Sequence, residues 1–590
     1  MSELVNAVDN FTTQQIGENG HVEYGWSNNI QERILQFSFQ LVRTNEEGVN
    51  NLQRILEEML AQLKHKLENS KLLEKEIARK HLSILYRLIG HTRDIIDGKG
   101  EYLLTYMMIY TWYNYYPKLA FFAIKCMVDL DNEKIHQYGS WKDIKYFCRY
   151  CYKKGLPITH PLIVESIRLI NEQLEIDYAN LISSNLSRLT LVGEWVPREK
   201  SSFSWMYQAL ATDYFKQYIK SAQTEESKKK AIVKCKMEYR QILSALNKAI
   251  GTLQIKQCSN KWSEIDFNKV TSISISKQKK ALLNITQKGD VRYSDRLDRI
   301  ECAEKFTNYI KQTISANSEK EMKGKRISMG DFTRQARKLY SSYSSNFDIE
   351  KELLNSQWRD NSTQNNALSD MIPMVDISGS MDGEPLDVAI AIGIRIAEKS
   401  KLGKRVMTFS KNPKWINLEP YNDFVSQVKQ IENSEIGYYT DFYKALKVIL
   451  DSIISNNLQP KDVEDMILVI LSDMQINQAE ENSNFNSASR KVLYDSIKTM
   501  YAEAGKSVHG IPYNPPRILF WNLRNTTGFP SLSSEKNVSM MSGFSPVLLN
   551  VFCDKGMNAL NAYTPFSVFE ETLNKERYKI MSNYLEQNID

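Results

Sequence analysis

Asp376, Ser378 and Ser380 stand at alternate positions at the end of Met371–Ser380, which reads Met-Ile-Pro-Met-Val-Asp-Ile-Ser-Gly-Ser. One carboxylate and two hydroxyls grouped this closely supply half of a site for a hard cation. Small oxygen ligands and retained waters suit Mg2+ or Mn2+ better than zinc. An Asx or Ser turn that only caps the next helix is the plainer alternative. Thr440, ahead of a second helical stretch, and Asp473, after an apolar run, add a hydroxyl and a carboxylate.

Those residues need elements to bring them together. The apolar residues before Asp376 predict a strand, Gly379 a tight turn, and Pro385 the start of a helix over Leu386–Lys399. Arg405–Phe409 reads as a second strand, with Trp415–Leu418 beside it. Phe442, Ala445, Leu446, Ile449, Leu450 and Ile453 recur at helical spacing in Asp441–Ile454. Met466–Leu471 is continuously apolar, as a strand buried on both faces should be. Arg490–Glu503 reads as a helix and Arg517–Trp521 as a strand. Strands alternating with helices imply a parallel, doubly wound α/β sheet. Such sheets bind ligands outside the carboxyl ends of their strands, where the oxygen-bearing residues fall.

Asp376-x-Ser378-x-Ser380, Thr440-Asp441 and Ser472-Asp473 resemble the metal-ion-dependent adhesion site (MIDAS) of von Willebrand factor A domains. The resemblance implies that Ser378, Ser380 and Thr440 ligate Mg2+ or Mn2+ directly. Asp376 and Asp473 would hold its waters. The remaining position would take a carboxylate from an acidic protein ligand.

The chain has 590 residues, too many for one core, so several units are expected. Its 42% hydrophobic and 25% charged residues are those of a globular protein. No run of eighteen apolar residues occurs. Thr105–Met127 comes nearest, but Asn114, Pro117, Lys118 and Lys125 interrupt it, so a buried aromatic helix pair is expected and no membrane span. The start, Met1-Ser-Glu-Leu-Val-Asn, carries no signal-peptide pattern. Seven scattered cysteines, of which Cys148 and Cys151 form the close pair, point to a reducing, intracellular (cytoplasmic) setting.

Charge divides unevenly. Residues 371–590 hold 22 Lys and Arg against 26 Asp and Glu, whereas residues 1–370 hold 54 against 44. Lys228–Lys236 and Lys320–Lys338 concentrate the excess. Such runs are usually solvated helix faces, but an excess on one large unit favours a polyanion partner. That half reads as successive helices: Asn51–Glu68, Leu82–Ile95, Tyr102–Tyr115, Leu119–Asp129, Trp141–Tyr152 and His160–Leu174. An α-helical, HEAT-like solenoid or ring without a clean repeat is expected. Its polar breaks fall at Ser221–Ser227 and Ser341–Ser369.

Several short segments of this half are similar to TROVE-type proteins, the family of the Ro ribonucleoproteins. They are Arg93–Glu101 with Gly98-Lys99-Gly100-Glu101, Tyr138–Asp143 with Gly-Ser-Trp-Lys-Asp, and Glu194–Lys200, where Glu194 replaces a usual basic residue. Phe520-Trp521-Asn522 and Ser542–Pro546 extend the likeness over roughly residues 30–565. The resemblance implies an uncharacterised branch, with RNA on the basic helical surface. Lys99, Lys320, Lys323, Lys325 and Arg326 are the candidate RNA contacts. Trp141 and Trp195 are expected as core anchors and Gly98 and Gly100 as turn residues.

No enzyme signature is present, because His509 lacks a nucleophile context and His-Glu-x-x-His is missing. The expectation is a non-enzymatic binding protein, an RNA-binding scaffold with a metal site. The alternative is a metal-dependent protein assembly scaffold without RNA. The expected organisation is a tail (1–30), a helical domain (31–345), a polar linker (346–369), the von Willebrand A-like domain (370–565) and a carboxyl-terminal helix or tail (566–590). A fragment starting near residue 365 would then fold alone.

Overall fold

The computed structural model describes residues 13–17, 20–132, 134–314, 321–341, 347–368, 370–409, 413–433, 442–464, 466–475, 493–553 and 564–589. The first 360 residues are mostly helical. Helix Glu46–Asn69 shows why: Asn45 caps it by accepting from Gly48 N, and Leu52, Ile55, Leu56, Met59, Leu60 and Leu63 form one buried stripe. Each such side chain contributes about 1.5–3 kcal/mol by leaving water. The most apolar stretch becomes two buried helices, Tyr102–Tyr115 and Pro117–Cys126, divided at Pro117. Among the described residues no helix is long and apolar enough to cross a membrane.

The carboxyl-terminal half is built on a six-stranded sheet. Two short strands, β1 (Gln14–Ile16) and β2 (Val22–Tyr24), form a separate hairpin. The sheet comprises β3 (Met371–Asp376), β4 (Arg405–Phe409), β5 (Lys414–Asn417), β6 (Ile467–Ser472), β7 (Arg517–Asn522) and β8 (Val538–Ser542). Their order is β5-β4-β3-β6-β7-β8, parallel except for the edge strand β5. The strands alternate between two cores. Met374, Leu468, Ile470 and Phe520 pack under helices Phe442–Ser455 and Leu493–His509. Val375, Val469, Leu471, Leu519 and Trp521 pack with helices Glu384–Lys399 and Phe424–Glu432. The sheet is therefore covered on both faces, as its continuously apolar strands require.

Three expectations about organisation change. Residues 346–369 are not a bare linker. Helix Phe347–Ser362 buries Leu353, Leu354 and Trp358, and the Trp358 ring stacks on Phe424 at 3.9 Å. Its three apolar anchors are hidden in sequence among Asn, Gln and Ser. Helix Met329–Ser341, assigned to the helical half, also packs on the α/β core through Met329, Phe332 and Ala336. Within the expected amino-terminal tail, residues 20–30 are tied down, since Tyr24 and Phe529 exchange backbone hydrogen bonds of 3.0 and 2.9 Å.

The two halves interlock. Helix Ile30–Gln40 lies on the α/β unit, with Glu32 accepting from Ser533 N and Gln40 Oε1 from Thr526 N. In return, helix Glu576–Asn588 packs on helix Leu72–Arg93, and Tyr584 stacks on Phe122 at 3.8 Å. A fragment beginning near residue 365 would expose both contact faces, against the expectation of independent folding.

Arg93–Glu101, Tyr138–Asp143, Phe520–Asn522 and Ser542–Pro546 lie close to this seam, where Tyr138 donates to Arg577 O and Lys99 to Ser542 Oγ. Arg93 holds Asp143 through two bonds of 2.7 and 2.8 Å. Asp143 also closes a capping box with Ser140 and accepts from Tyr106 at 2.9 Å. Removing one partner of so buried a pair costs about 3–5 kcal/mol. Gly98 lets the chain pass His91, whose carbonyl would lie 2.1 Å from an added Cβ. Glu101 grips Arg43, Asn522 donates to Phe39 O, and the Trp521 indole donates to Gly543 O.

Candidate metal centre and cationic face

β3 delivers Asp376 to the carboxyl edge of the sheet, where the chain turns through a 3-10 stretch, Gly379–Met381. The left-handed residue of this connection is Gly383, at φ 94°, rather than Gly379. Helix Glu384–Lys399 starts there, with Pro385 in its first turn. β6, paired with β3, places Ser472 and Asp473 at the same edge.

Asp376 is fully buried. Its Oδ1 accepts from Ser378 N at 2.9 Å, and its Oδ2 from Ser472 Oγ at 2.6 Å. The Ser378 and Ser380 hydroxyls lie 3.1 Å apart. Asp473 is also fully buried and its Oδ1 accepts from Gln475 N at 3.1 Å. Burial, reinforced by the charge of Asp473, pushes the Asp376 carboxyl up to about 7 against the pull of its serine hydrogen bonds. Two buried like charges are a costly arrangement that a nearby cation would relieve. Among the described residues no three His, Cys, Asp or Glu side chains converge. The donors here are instead two carboxylates and two hydroxyls, a set that fits a small hard cation.

The structure thus brings Asp376, Ser378, Ser380 and Asp473 together. Thr440 lies outside the described residues. Sequence reasoning overlooked Ser472 as the residue that orients Asp376. It also overlooked Arg524, whose guanidinium donates to Ser380 O at 2.6 Å and stands 3.8 Å from Asp473. Arg524 follows β7, and only the strand pairing puts it beside β6.

The candidate RNA contacts are dispersed. Lys99 is buried, and its ammonium donates to Ser38 O at 2.6 Å, Leu41 O at 3.2 Å and Ser542 Oγ at 2.6 Å. All three donors are used inside the protein, so Lys99 is a bolt between the halves and presents nothing to a phosphate. Lys320 lies outside the described residues. Lys323, Lys325 and Arg326 are exposed, with Lys323 donating to Asn268 O and Arg326 to Ile95 O.

A different cationic group assembles nearby. Lys142, Lys145 and Arg149 share one face of helix Trp141–Lys153, joined by Arg198 and by Lys277 from helix Ser272–Leu282. Burial, then the charges of Arg198 and Arg149, lower the pKa of Lys145; burial lowers that of Lys142 against the attraction of Asp143, with Lys277 and Arg93 adding to the lowering. Aromatic rings interleave. Lys142 lies 5.9 Å from the Trp195 ring centroid, and Lys145 and Arg149 lie 4.8 and 4.7 Å from Phe203. Trp195 is partly buried beneath a cation and joins none of the described core clusters, while Trp141, expected alike as a core anchor, packs against the core. Among the described residues none of the five cations forms an ion pair with a carboxylate. Sequence offered one hint, the spacing 142, 145, 149; the partners come from segments far away.

Comparison with known proteins agrees with an uncharacterised kind of protein. Residues 370–585 match a domain of unknown function, DUF7788, and residues 159–360 match a second, DUF2828. The chain is 27% identical over 521 residues to the uncharacterized protein L728 of Acanthamoeba polyphaga mimivirus, covering 85% of this chain and 79% of that protein. The two matched regions part between residues 360 and 370, at the end of helix Phe347–Ser362.

Proposed function

We propose that this protein is a non-enzymatic, RNA-binding scaffold: a TROVE-like helical half carrying RNA, and a von Willebrand A-like half carrying a divalent-metal ligand site. The observation that carries the RNA reading is the set Lys142, Lys145, Arg149, Arg198 and Lys277, unpaired and interleaved with Trp195, Tyr146 and Phe203. Structural cations usually form ion pairs with carboxylates; these form none, and Lys145, Arg149 and Arg198 repel one another, a cost that a polyanion would remove. Phosphates neutralised by the cations and bases stacked on Trp195 and Tyr146 supply the affinity, with little sequence preference, while the buried Phe203 only supports Lys145 and Arg149.

For the metal, Ser378, Ser380 and Thr440 would bind through hydroxyls, with Asp376 and Asp473 holding its waters. Bound there, Mg2+ or Mn2+ supplies an electrophilic position for an incoming oxyanion. The protein's own part is to keep two carboxylates buried, Asp376 oriented by Ser472 and the Ser378 amide and Asp473 by the Gln475 amide, so that little rearrangement accompanies binding.

A polar cleft beside the hydroxyl loop, lined by Asn45, Asn51, Ser380, Arg524 and Asn525, favours a second reading, a metal-dependent protein scaffold that takes an acidic protein ligand and no RNA. Purification of the full chain separates the two. The proposed function expects a raised 260/280 nm absorbance ratio that falls after ribonuclease treatment. Nucleic-acid-free protein that also ignores added single-stranded RNA at low salt would leave only the scaffold reading.

A further inference from the structure

Three guanidinium groups surround the ring of Tyr293. Arg296 lies 4.7 Å from its centroid, Arg299 5.2 Å and Arg292 5.5 Å. Arg299 also lies 3.6 Å over the Trp262 ring. Among the described residues none of the three arginines forms an ion pair, although Asp290 and Asp295 belong to the same loop. Asp298 is engaged elsewhere, because its two oxygens accept from Trp262 N at 3.0 Å and Ser263 N at 2.8 Å. We propose that this cluster is a docking site for a phosphorylated peptide. Arg292 and Arg296 grip the phosphoryl group, and Val291 and Leu297 receive apolar side chains beside it.

The loop is built to hold its arginines. An antiparallel bridge joins Ile285 to Val291, and Arg292 N donates to Asn284 O at 2.8 Å. The Asn284 side-chain amide donates to Tyr293 O, also at 2.8 Å. Arg296 stands at the entry to helix Leu297–Ile314, its carbonyl accepting from Arg299 N and Ile300 N. Arg292 and Arg296 are exposed. Arg299 is only 5% exposed; its guanidinium donates to Ala281 O, and its Nε has no hydrogen-bond partner. It is a fixed charge beneath the two that reach the ligand. Three like charges around one ring repel one another, and an anion bound between them removes that cost.

The chemistry of the surroundings selects the ligand. A phosphoryl group carries about 1.5 to 2 negative charges and three acceptor oxygens, which two guanidinium forks share. Bases find little bare ring here. Arg299 lies far closer to Trp262 than Lys142 does to Trp195, 3.6 against 5.9 Å, and Tyr293 is ringed by cations. Val291 and Leu297 are 64% and 68% exposed, and such aliphatic shoulders suit peptide side chains. Arginine clusters are a recurrent way of reading phosphorylated motifs. The cluster shares no residue with the cationic face on helix Trp141–Lys153, so the inference stands whether or not RNA binds there.

The test uses the full chain and fluorescence anisotropy. The probe is a labelled peptide pool with phosphoserine at the centre and randomised flanks, set against the same pool with serine. The phosphorylated pool should bind about tenfold or more tightly than the serine pool. Arg292→Ala with Arg296→Ala should weaken it about tenfold, without moving the urea unfolding midpoint, since both side chains are exposed. Arg292→Lys with Arg296→Lys should recover only part of the loss, because an ammonium lacks the two-pronged grip. Replacing Lys142, Lys145 and Arg149 together with Glu should leave peptide binding unchanged. Equal binding of the two pools, or unchanged affinity in the double alanine variant, would overturn the inference. Displacement of the peptide by single-stranded RNA from the Lys142, Lys145 and Arg149 variant would overturn it too, by making the cluster a nucleic-acid surface.

Discussion

The candidate metal-site loop and the cationic face handle charge in opposite ways. At the sheet edge two carboxylates are fully buried and every described contact fixes their direction: the Ser378 amide and Ser472 hydroxyl on Asp376, the Gln475 amide on Asp473. On helix Trp141–Lys153 the cations are at least partly wet and rest on ring faces. The first arrangement suits one compact ligand held in a set geometry. The second suits an extended, repetitive polyanion that needs charge and stacking surface more than orientation. A rigid site is built by strands, and a tolerant one by helix faces.

The comparison is broken most severely by charge reversal. Replacing Lys142, Lys145 and Arg149 together with Glu should lower affinity for single-stranded RNA about 100-fold at low salt, and flatten the log–log salt slope by about two. Fluorescence anisotropy over a salt series reads both. Metal binding should be unchanged in that variant.

Next in size, Asp376→Ala should cost about 10–100-fold in Mn2+ affinity, the usual effect of losing a residue that orients a metal's shell. Mn2+ electron paramagnetic resonance counts the bound ion. RNA affinity should not move. A variant that lost both activities would mean that one assembled surface serves both ligands.

Lys99→Met sharpens the contrast from within the seam. Two backbone carbonyls and the Ser542 hydroxyl would lose their donor, so urea unfolding should report a loss of about 1–3 kcal/mol. RNA affinity should stay the same once the variant is folded. The smallest effect is expected for Lys323→Glu with Lys325→Glu. These exposed residues should change stability by less than about 0.5 kcal/mol. Their RNA affinity should shift by less than the triple reversal on helix Trp141–Lys153.

What was legible in the sequence follows the same division. Asp376, Ser378 and Ser380 lie within five residues on one strand end, and the apolar run before Ser472 announces the neighbouring strand. Local pattern and parallel pairing were enough to bring Asp473 there. Helix Phe347–Ser362 was illegible because Leu353, Leu354 and Trp358 are sparse among polar residues, and their burial depends on Phe424 and Arg395 from elsewhere. Lys99 looked available between two glycines, yet Gly98 serves a tight approach to His91 and Gly100 a turn at φ 74°, and the side chain points inward. The cationic face needs helices Trp141–Lys153 and Ser272–Leu282 side by side, and no local spacing encodes that.

The affinity of the full chain for a single-stranded RNA, measured against salt with Mn2+ and again with a chelator, tests the central claim most directly. Neutralisation by three to five of the cations predicts a log–log slope between about −2 and about −3.5, unaltered by removing the metal. Absence of binding at 50 mM salt, or binding that disappears with the metal, would contradict a polyanion surface separate from the metal site.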